Sequence, residues 1–182
     1  MITKITLAVT GSISAYKAAD LTSRLVKEGY HVTVLMTKAA QAFITPLTLQ
    51  VLSKNTVHLD IMDEDDVSKI NHIDLAKNTD LFIVAPASAN TIAHLSYGFA
   101  DSIVTGVALA LPEETKKMIA PAMNTKMYTN PITQENLKRL ASVGFYEIKP
   151  KSSLLACGDI GTGALADIET IVSEILNLSE IK

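Results

Sequence analysis

The chain has 182 residues, 48% apolar and 19% charged, with 16 Lys+Arg against 19 Asp+Glu. That length and apolar content suffice for one domain with a sizeable core and exclude disorder as the main state. A formal net charge of -3, with no Lys/Arg run interleaved with aromatics, argues against a nucleic-acid partner. Cys157 is the single cysteine, so no intrachain disulfide forms, and no Cys/His cluster has the spacing of a zinc site; both suit a reducing cytoplasm.

Lys4 precedes the apolar Ile5-Thr6-Leu7-Ala8-Val9, which breaks at Thr10-Gly11-Ser12, too early for the core of a signal peptide. The segment reads as a first strand. Ala18, Leu21, Leu25 and Val26 follow at helical spacing, with Gly29 as a stop, and Val32 to Met36 reads as a second strand. Strand, helix and strand in this order make a βαβ unit, and strands apolar on both faces belong to a parallel sheet covered by helices on both sides.

Beyond it, Pro46 to Ser53 is predicted helical, and Asp60 to Ser68, with Asp63-Glu64-Asp65-Asp66, a solvated acidic loop. Asp80 to Ala85 reads as a buried strand, Asn90 to Ser96 and Asp101 to Leu111 as helices, and Lys117 to Ala120 as a short strand. Thr133 to Ser142 fits a helix between Pro131 and Gly144, Phe145 to Ile148 a last strand, and Ile168 to Leu178 a closing helix. The most apolar stretch, Ile103 to Leu111, falls far short of the roughly 20 residues that cross a bilayer, so no membrane span is expected. The fold expected is a three-layer αβα, doubly wound, Rossmann-like or flavodoxin-like parallel sheet in a single domain over residues 1–182. Residues 149–166, with Gly158, Gly161 and Gly163, are left as a long glycine-rich loop of the kind that covers a substrate.

In open α/β sheets ligands sit at the carboxyl ends of strands, where loop amides and helix N-termini face an anion. Three segments have that position: Gly11-Ser12-Ile13-Ser14, Met36-Thr37, and Pro86-Ala87-Ser88-Ala89-Asn90-Thr91. The first serves equally as an ordinary βα turn with Ser as helix cap, and the third can act as a cap, but the convergence of the three favours a mononucleotide. The dinucleotide pattern G-x-G-x-x-G is absent, Met36-Thr37-Lys38 stands where a ribose-binding acid belongs, and no Walker sequence occurs. A flavin mononucleotide fits better than NAD or ATP. Candidate reactive groups are His72 in Asn71-His72-Ile73-Asp74-Leu75, Asn124 after a buried strand, and Cys157 in the glycine-rich loop, where a thiol can reach a substrate. His31, His58 and His94 have no comparable setting.

Taken in order, Gly11-Ser12-Ile13, His72-Ile73-Asp74-Leu75, Pro86 to Thr91, Pro121-Ala122-Met123-Asn124 with Met127, and Leu155-Ala156-Cys157-Gly158 resemble the homo-oligomeric flavin-containing cysteine decarboxylases. Tyr128 stands where many members have Trp, a change expected to alter local packing only. The resemblance implies that Gly11, Ser12, Ile13, Thr37, Ser88, Ala89, Asn90, Thr91 and Ala122 bind FMN. It implies His72 as the base, Asn124 as the holder of the substrate carboxylate and amide, Cys157 as the proton donor, and Leu154 and Ala156 as substrate contacts. The implied reaction is FMN-dependent decarboxylation of 4′-phosphopantothenoyl-cysteine to 4′-phosphopantetheine in coenzyme A biosynthesis, and a homotrimer or homododecamer with its active site at a subunit interface.

That chemistry suits those residue types. An N-acylated cysteine cannot form the Schiff base that pyridoxal phosphate needs, so an electron sink must be made on the substrate itself. Hydride loss from Cβ to the flavin, with His72 assisting thiol deprotonation, gives a thioaldehyde beside the carboxylate-bearing carbon, and loss of carbon dioxide then leaves a stabilised enethiolate. Return of the hydride and a proton from Cys157, a thiol largely protonated at neutral pH, completes the cycle. Alternatives are a peptidyl-cysteine decarboxylase, which needs no reducing step, a flavin prenyltransferase, and a non-catalytic regulatory flavoprotein. Leu155-Ala156-Cys157-Gly158 counts against the first, Pro121-Ala122-Met123-Asn124 against the second, and the lack of an acidic or disordered extension against the third.

Overall fold

Period-two alternation along each apolar run sends its side chains to two separate cores, and the sheet between them carries the site. The computed structural model describes residues 2–63, 70–154, 158 and 160–180. Strands β1 (Lys4–Val9), β2 (His31–Met36), β3 (Val57–His58), β4 (Leu81–Ala87), β5 (Lys116–Pro121) and β6 (Phe145–Glu147) form one parallel sheet in the order β3-β2-β1-β4-β5-β6. The helices are α1 (Ala18–Lys27), α2 (Pro46–Ser53), α3 (Asn71–Lys77), α4 (Ala89–Tyr97), α5 (Ile103–Leu109), α6 (Thr125–Tyr128), α7 (Pro131–Ser142) and α8 (Ile168–Glu180).

Ile5, Leu7 and Val9 of β1 and Leu81, Ile83 and Ala85 of β4 pack with Leu21 and Leu25 of α1, Leu49 of α2 and Ile171 and Ile175 of α8. The intervening Ala8, Phe82 and Val84 face the opposite way, onto Ala76 of α3, Ile92 of α4, Ile103 and Val107 of α5 and Leu137 and Leu140 of α7. Phe82 is fully buried, and burying a side chain of that size contributes about 1.5–3 kcal/mol. The three-layer, doubly wound expectation is met.

Short-range chemistry fixes the helix ends. The Ser88 hydroxyl accepts the Thr91 amide at 3.3 Å to start α4. Ser102 and Thr105 form a capping box for α5, and Thr45 caps α2 ahead of Pro46. At the amino end of the sheet the Asp80 carboxylate accepts the Thr3 amide at 2.8 Å, the Thr3 hydroxyl at 3.0 Å and the Lys4 amide at 2.9 Å.

Residues 149–166 are not structureless throughout. Both arms form an antiparallel hairpin, β7 (Lys151–Leu154) and β8 (Ile160–Ala164), outside the main sheet. The hairpin packs on α6: the Met123 amide donates to the Gly163 carbonyl at 2.8 Å, and a Cβ on Gly163 would lie 2.3 Å from the Met123 carbonyl oxygen. Glycine stands there because a strand rests directly on a neighbouring main chain. Of the acidic loop, residues 64–69 lie outside the described residues.

Candidate active site

The connections after β1 and β4 leave on opposite faces of the sheet, so a crevice opens between the carboxyl ends of these two neighbouring strands. A cavity of about 570 Å³ occupies it, bounded by Gly11 to Ser14, by Ser88 and Ala89, by Ala122 to Asn124, and by the β7–β8 hairpin. Its volume falls in the range of pockets that enclose a small molecule or cofactor. No cluster of three or more His, Cys, Asp or Glu side chains able to hold a metal occurs among the described residues.

Ser12 opens a 3-10 turn, Ile13–Lys17, and its hydroxyl accepts the Ser14 amide at 3.3 Å. Gly11 packs so closely on the following connection that a Cβ would lie 2.5 Å from the Ala39 Cβ. The glycine therefore serves protein packing at the rim of the cavity as well as the turn. Thr37 does not line the cavity; its hydroxyl accepts the Ala40 amide at 3.3 Å and so shapes the segment that Gly11 abuts.

Thr10, which the sequence reading did not single out, connects the two loops. Its fully buried hydroxyl donates to the Pro86 carbonyl at 2.7 Å and accepts the Ser88 amide at 2.9 Å. The Ser88 hydroxyl donates to Thr91 Oγ1 at 3.1 Å, so Ser88 faces the cavity while Thr91 is buried behind it. Asn90 is exposed and lies outside the lining.

Asn124 both lines the cavity and caps α6, its Oδ1 accepting the Lys126 amide at 2.8 Å. Leu154, 70% exposed, projects along the same cavity from the hairpin. Ala156 and Cys157 lie outside the described residues. His72, the second residue of α3, does not line the cavity, and its Nδ1 is buried without a hydrogen-bond partner among the described residues. Tyr16, Lys17, Phe43, Lys151, Ser153 and Ala164 join the lining without having been anticipated. Only Lys17 had a readable signal, falling three residues after Ser14 on the same side of a helical turn.

Below α6, the Tyr128 hydroxyl donates to Glu147 Oε1 at 2.8 Å, and Lys149 pairs with the other oxygen of that carboxylate. Burial, then the adjacent Glu147 carboxylate, pushes the Tyr128 phenol up to about 12. Tyr at this position thus adds a polar tie between α6 and β6, which goes beyond a change of packing.

A doubly wound parallel sheet with hydroxyls, loop amides and a helical turn around a cavity at its switch point defines a mononucleotide-binding protein. The chain belongs to the Flavoprotein family, which matches residues 2–180. It is 67% identical over 175 residues to a probable phosphopantothenoylcysteine decarboxylase of Streptococcus mutans, covering 96% of this chain and 98% of that one. Among solved structures, a cysteine-to-serine mutant of PPC decarboxylase complexed with pantothenoylaminoethenethiol superposes with a TM-score of 0.88 at 30% identity, covering 99% of this chain and 100% of that one. The FMN-binding protein AtHal3 superposes with a TM-score of 0.86 at 31% identity, covering 100% of this chain and 99% of that one.

Proposed function

We propose that this protein catalyses the FMN-dependent decarboxylation of 4′-phosphopantothenoyl-cysteine to 4′-phosphopantetheine. The observation that carries the reading is Asn124 standing on the rim of a hydroxyl-lined cavity beneath a separate hairpin, in a chain 67% identical to the Streptococcus mutans relative across 98% of that relative's length. Gly11, Ser12, Ile13, Ser88, Ala89 and Ala122 line the cavity and suit the cofactor. Thr37 and Thr91 act behind that lining through the Ala40 amide and the Ser88 hydroxyl, and Asn90 contributes main chain at the start of α4. FMN held by these residues would supply reversible hydride-transfer chemistry to the substrate, leaving a net decarboxylation.

In this reading Asn124 holds the substrate carboxylate, Leu154 and Ala156 contact the substrate from the hairpin segment, and the Cys157 thiol delivers the final proton. His72 assists loss of the thiol proton. Because it lies outside its own chain's cavity, we assign it to the cavity of a second copy in a homotrimer or a homododecamer.

The test is the product mass after incubation of the protein with FMN and 4′-phosphopantothenoyl-cysteine. 4′-Phosphopantetheine supports the proposal; a product lighter by two hydrogens indicates an oxidative peptidyl-cysteine type of reaction; an unchanged substrate rejects the assignment. Mixing His72→Asn with Asn124→Asp subunits tests the shared site, since mixed assemblies regain activity only if the two groups come from different copies.

A further inference from the structure

The cavity is bordered by two charged side chains among the described residues, Lys17 and Lys151, and both are cationic. Each is half-buried. Lys17 ends the turn that opens at Ser12, and Lys151 begins the hairpin, so the two side chains border the cavity from separate elements of the chain. One carboxylate serves both: Lys151 Nζ pairs with Asp167, and Lys17 is close enough to act on the same carboxylate through space. Asp167 itself stands outside the lining and is exposed. Its carboxyl is held below its ordinary value first by the hydrogen bond from Lys151, against an opposing effect of desolvation, and then by the charges of Lys151 and Lys17.

Two cations sharing one carboxylate leave an excess positive charge at the border of a cavity lined otherwise by neutral groups. A dianion entering there gains the attraction of both ammonium groups without meeting a carboxylate on the cavity wall. Ser12, Ser14 and the amides of the 3-10 turn already offer hydrogen bonds to one phosphate, that of a mononucleotide. The lysine on the hairpin belongs to the element that covers a substrate rather than to the sheet that cradles a cofactor.

Resting on the function proposed above, we infer that Lys151, supported by Lys17, is a specificity-determining residue that receives the terminal phosphate of the substrate, leaving Asp167 to do so. The exchange breaks the Lys151–Asp167 pair, forms one from Lys151 to the phosphate and makes no covalent bond. The selected substrate class is then a phosphorylated acyl-cysteine, and the non-phosphorylated analogue or a peptide is disfavoured by the loss of a charge-assisted contact.

The experiment compares wild type, Lys151→Met and Lys151→Arg in the FMN-loaded full chain. The first readout is the ratio of kcat/KM for 4′-phosphopantothenoyl-cysteine to that for pantothenoyl-cysteine. The second, independent of turnover, is the ratio of calorimetric affinities for 4′-phosphopantetheine and pantetheine. A charge-assisted hydrogen bond predicts that both ratios fall about tenfold or more in Lys151→Met, are largely restored in Lys151→Arg, and in wild type shrink as salt is raised. Equal losses for phosphorylated and non-phosphorylated ligands, or loss of flavin absorbance from Lys151→Met, would overturn the inference, the latter by assigning the lysine to the cofactor. Phosphate-selective binding by wild type without decarboxylation would reject the proposed function while leaving the phosphate subsite standing.

Discussion

Thr10 and Ser88 stand 78 residues apart, and the hydroxyl of the first accepts the main-chain amide of the second at 2.9 Å. The same hydroxyl donates to Pro86, so one buried oxygen holds the loop after β4 against the end of β1. Thr10→Val removes that oxygen with little change of shape and strands a buried amide and a carbonyl. The expected cost is about 1–3 kcal/mol of stability, together with weaker FMN binding as the two loops separate. Denaturant unfolding and flavin titration of the same preparation check both, and unchanged flavin affinity would remove Thr10 from the site's framework.

His72→Asn should abolish reduction of the flavin by substrate, observed as bleaching of the flavin absorbance in the absence of oxygen. Flavin content should stay near that of wild type, because the lining residues that suit the cofactor, Ser12, Ser88 and Ala122 among them, are untouched. Normal bleaching would exclude His72 as the base.

Tyr128→Phe loses the hydrogen bond to Glu147 and should cost about 1 kcal/mol. The pH dependence has a definite sign. A phenol raised to about 12 in the folded chain from an ordinary 10.0 keeps its proton after the unfolded chain has lost it. Its contribution is therefore complete below 10.0 and declines as pH rises towards 12. In Tyr128→Phe that part of the alkaline decline disappears. Alkaline melting curves of the two proteins that run parallel through this window would refute the assignment.

Asp80 predicts the opposite limb. Burial raises its carboxyl, and the Thr3 and Lys4 amides with the Thr3 hydroxyl more than reverse the effect, leaving it below 3.8. The contribution is complete above 3.8 and is lost as pH falls through the lower folded value. Because the group is largely solvated, Asp80→Asn should cost only about 1 kcal/mol at neutral pH and should flatten the acid limb of the stability curve. An acid limb as steep as that of wild type would contradict this account.

Gly163→Ala places a methyl group against the Met123 carbonyl oxygen, a contact that main chain cannot absorb. The hairpin must lift from α6. If the hairpin covers the substrate as proposed, its displacement by about 1 Å lowers kcat/KM by about a hundredfold, whereas FMN held by the sheet loops should be retained. Kinetics and flavin titration separate the two effects, and equal losses in both would show that the hairpin also holds the cofactor.

Much of this arrangement is legible in the sequence because it is local. Alternation in Ile5 to Val9 and Leu81 to Ala85 declares two-faced burial, and Ser12, Ser88 and Asn124 declare turn starts at strand ends, which places three walls of the cavity. What escapes depends on partners distant in sequence. The tie from Thr10 to Ser88, the sharing of Asp167 by Lys17 and Lys151, and the seat of Gly163 on Met123 are products of packing and have no periodic or motif signature. The two-residue β3 is likewise too short to show a period; it exists because Val57 and His58 add to β2. Tyr128 illustrates the remaining difficulty: its ring is visible as an aromatic substitute, but its use of the hydroxyl depends on Glu147 arriving from β6.

The main-chain grip between Met123 and Gly163 separates two tasks that many covering loops combine. Since neither side chain makes the hydrogen bond, the side chains of β7 can be exchanged for those of a relative without redesigning its foundation. Such a graft would turn the hairpin into an interchangeable head on a fixed stem, and new acyl-cysteine specificities could be sampled on one unchanged cofactor platform.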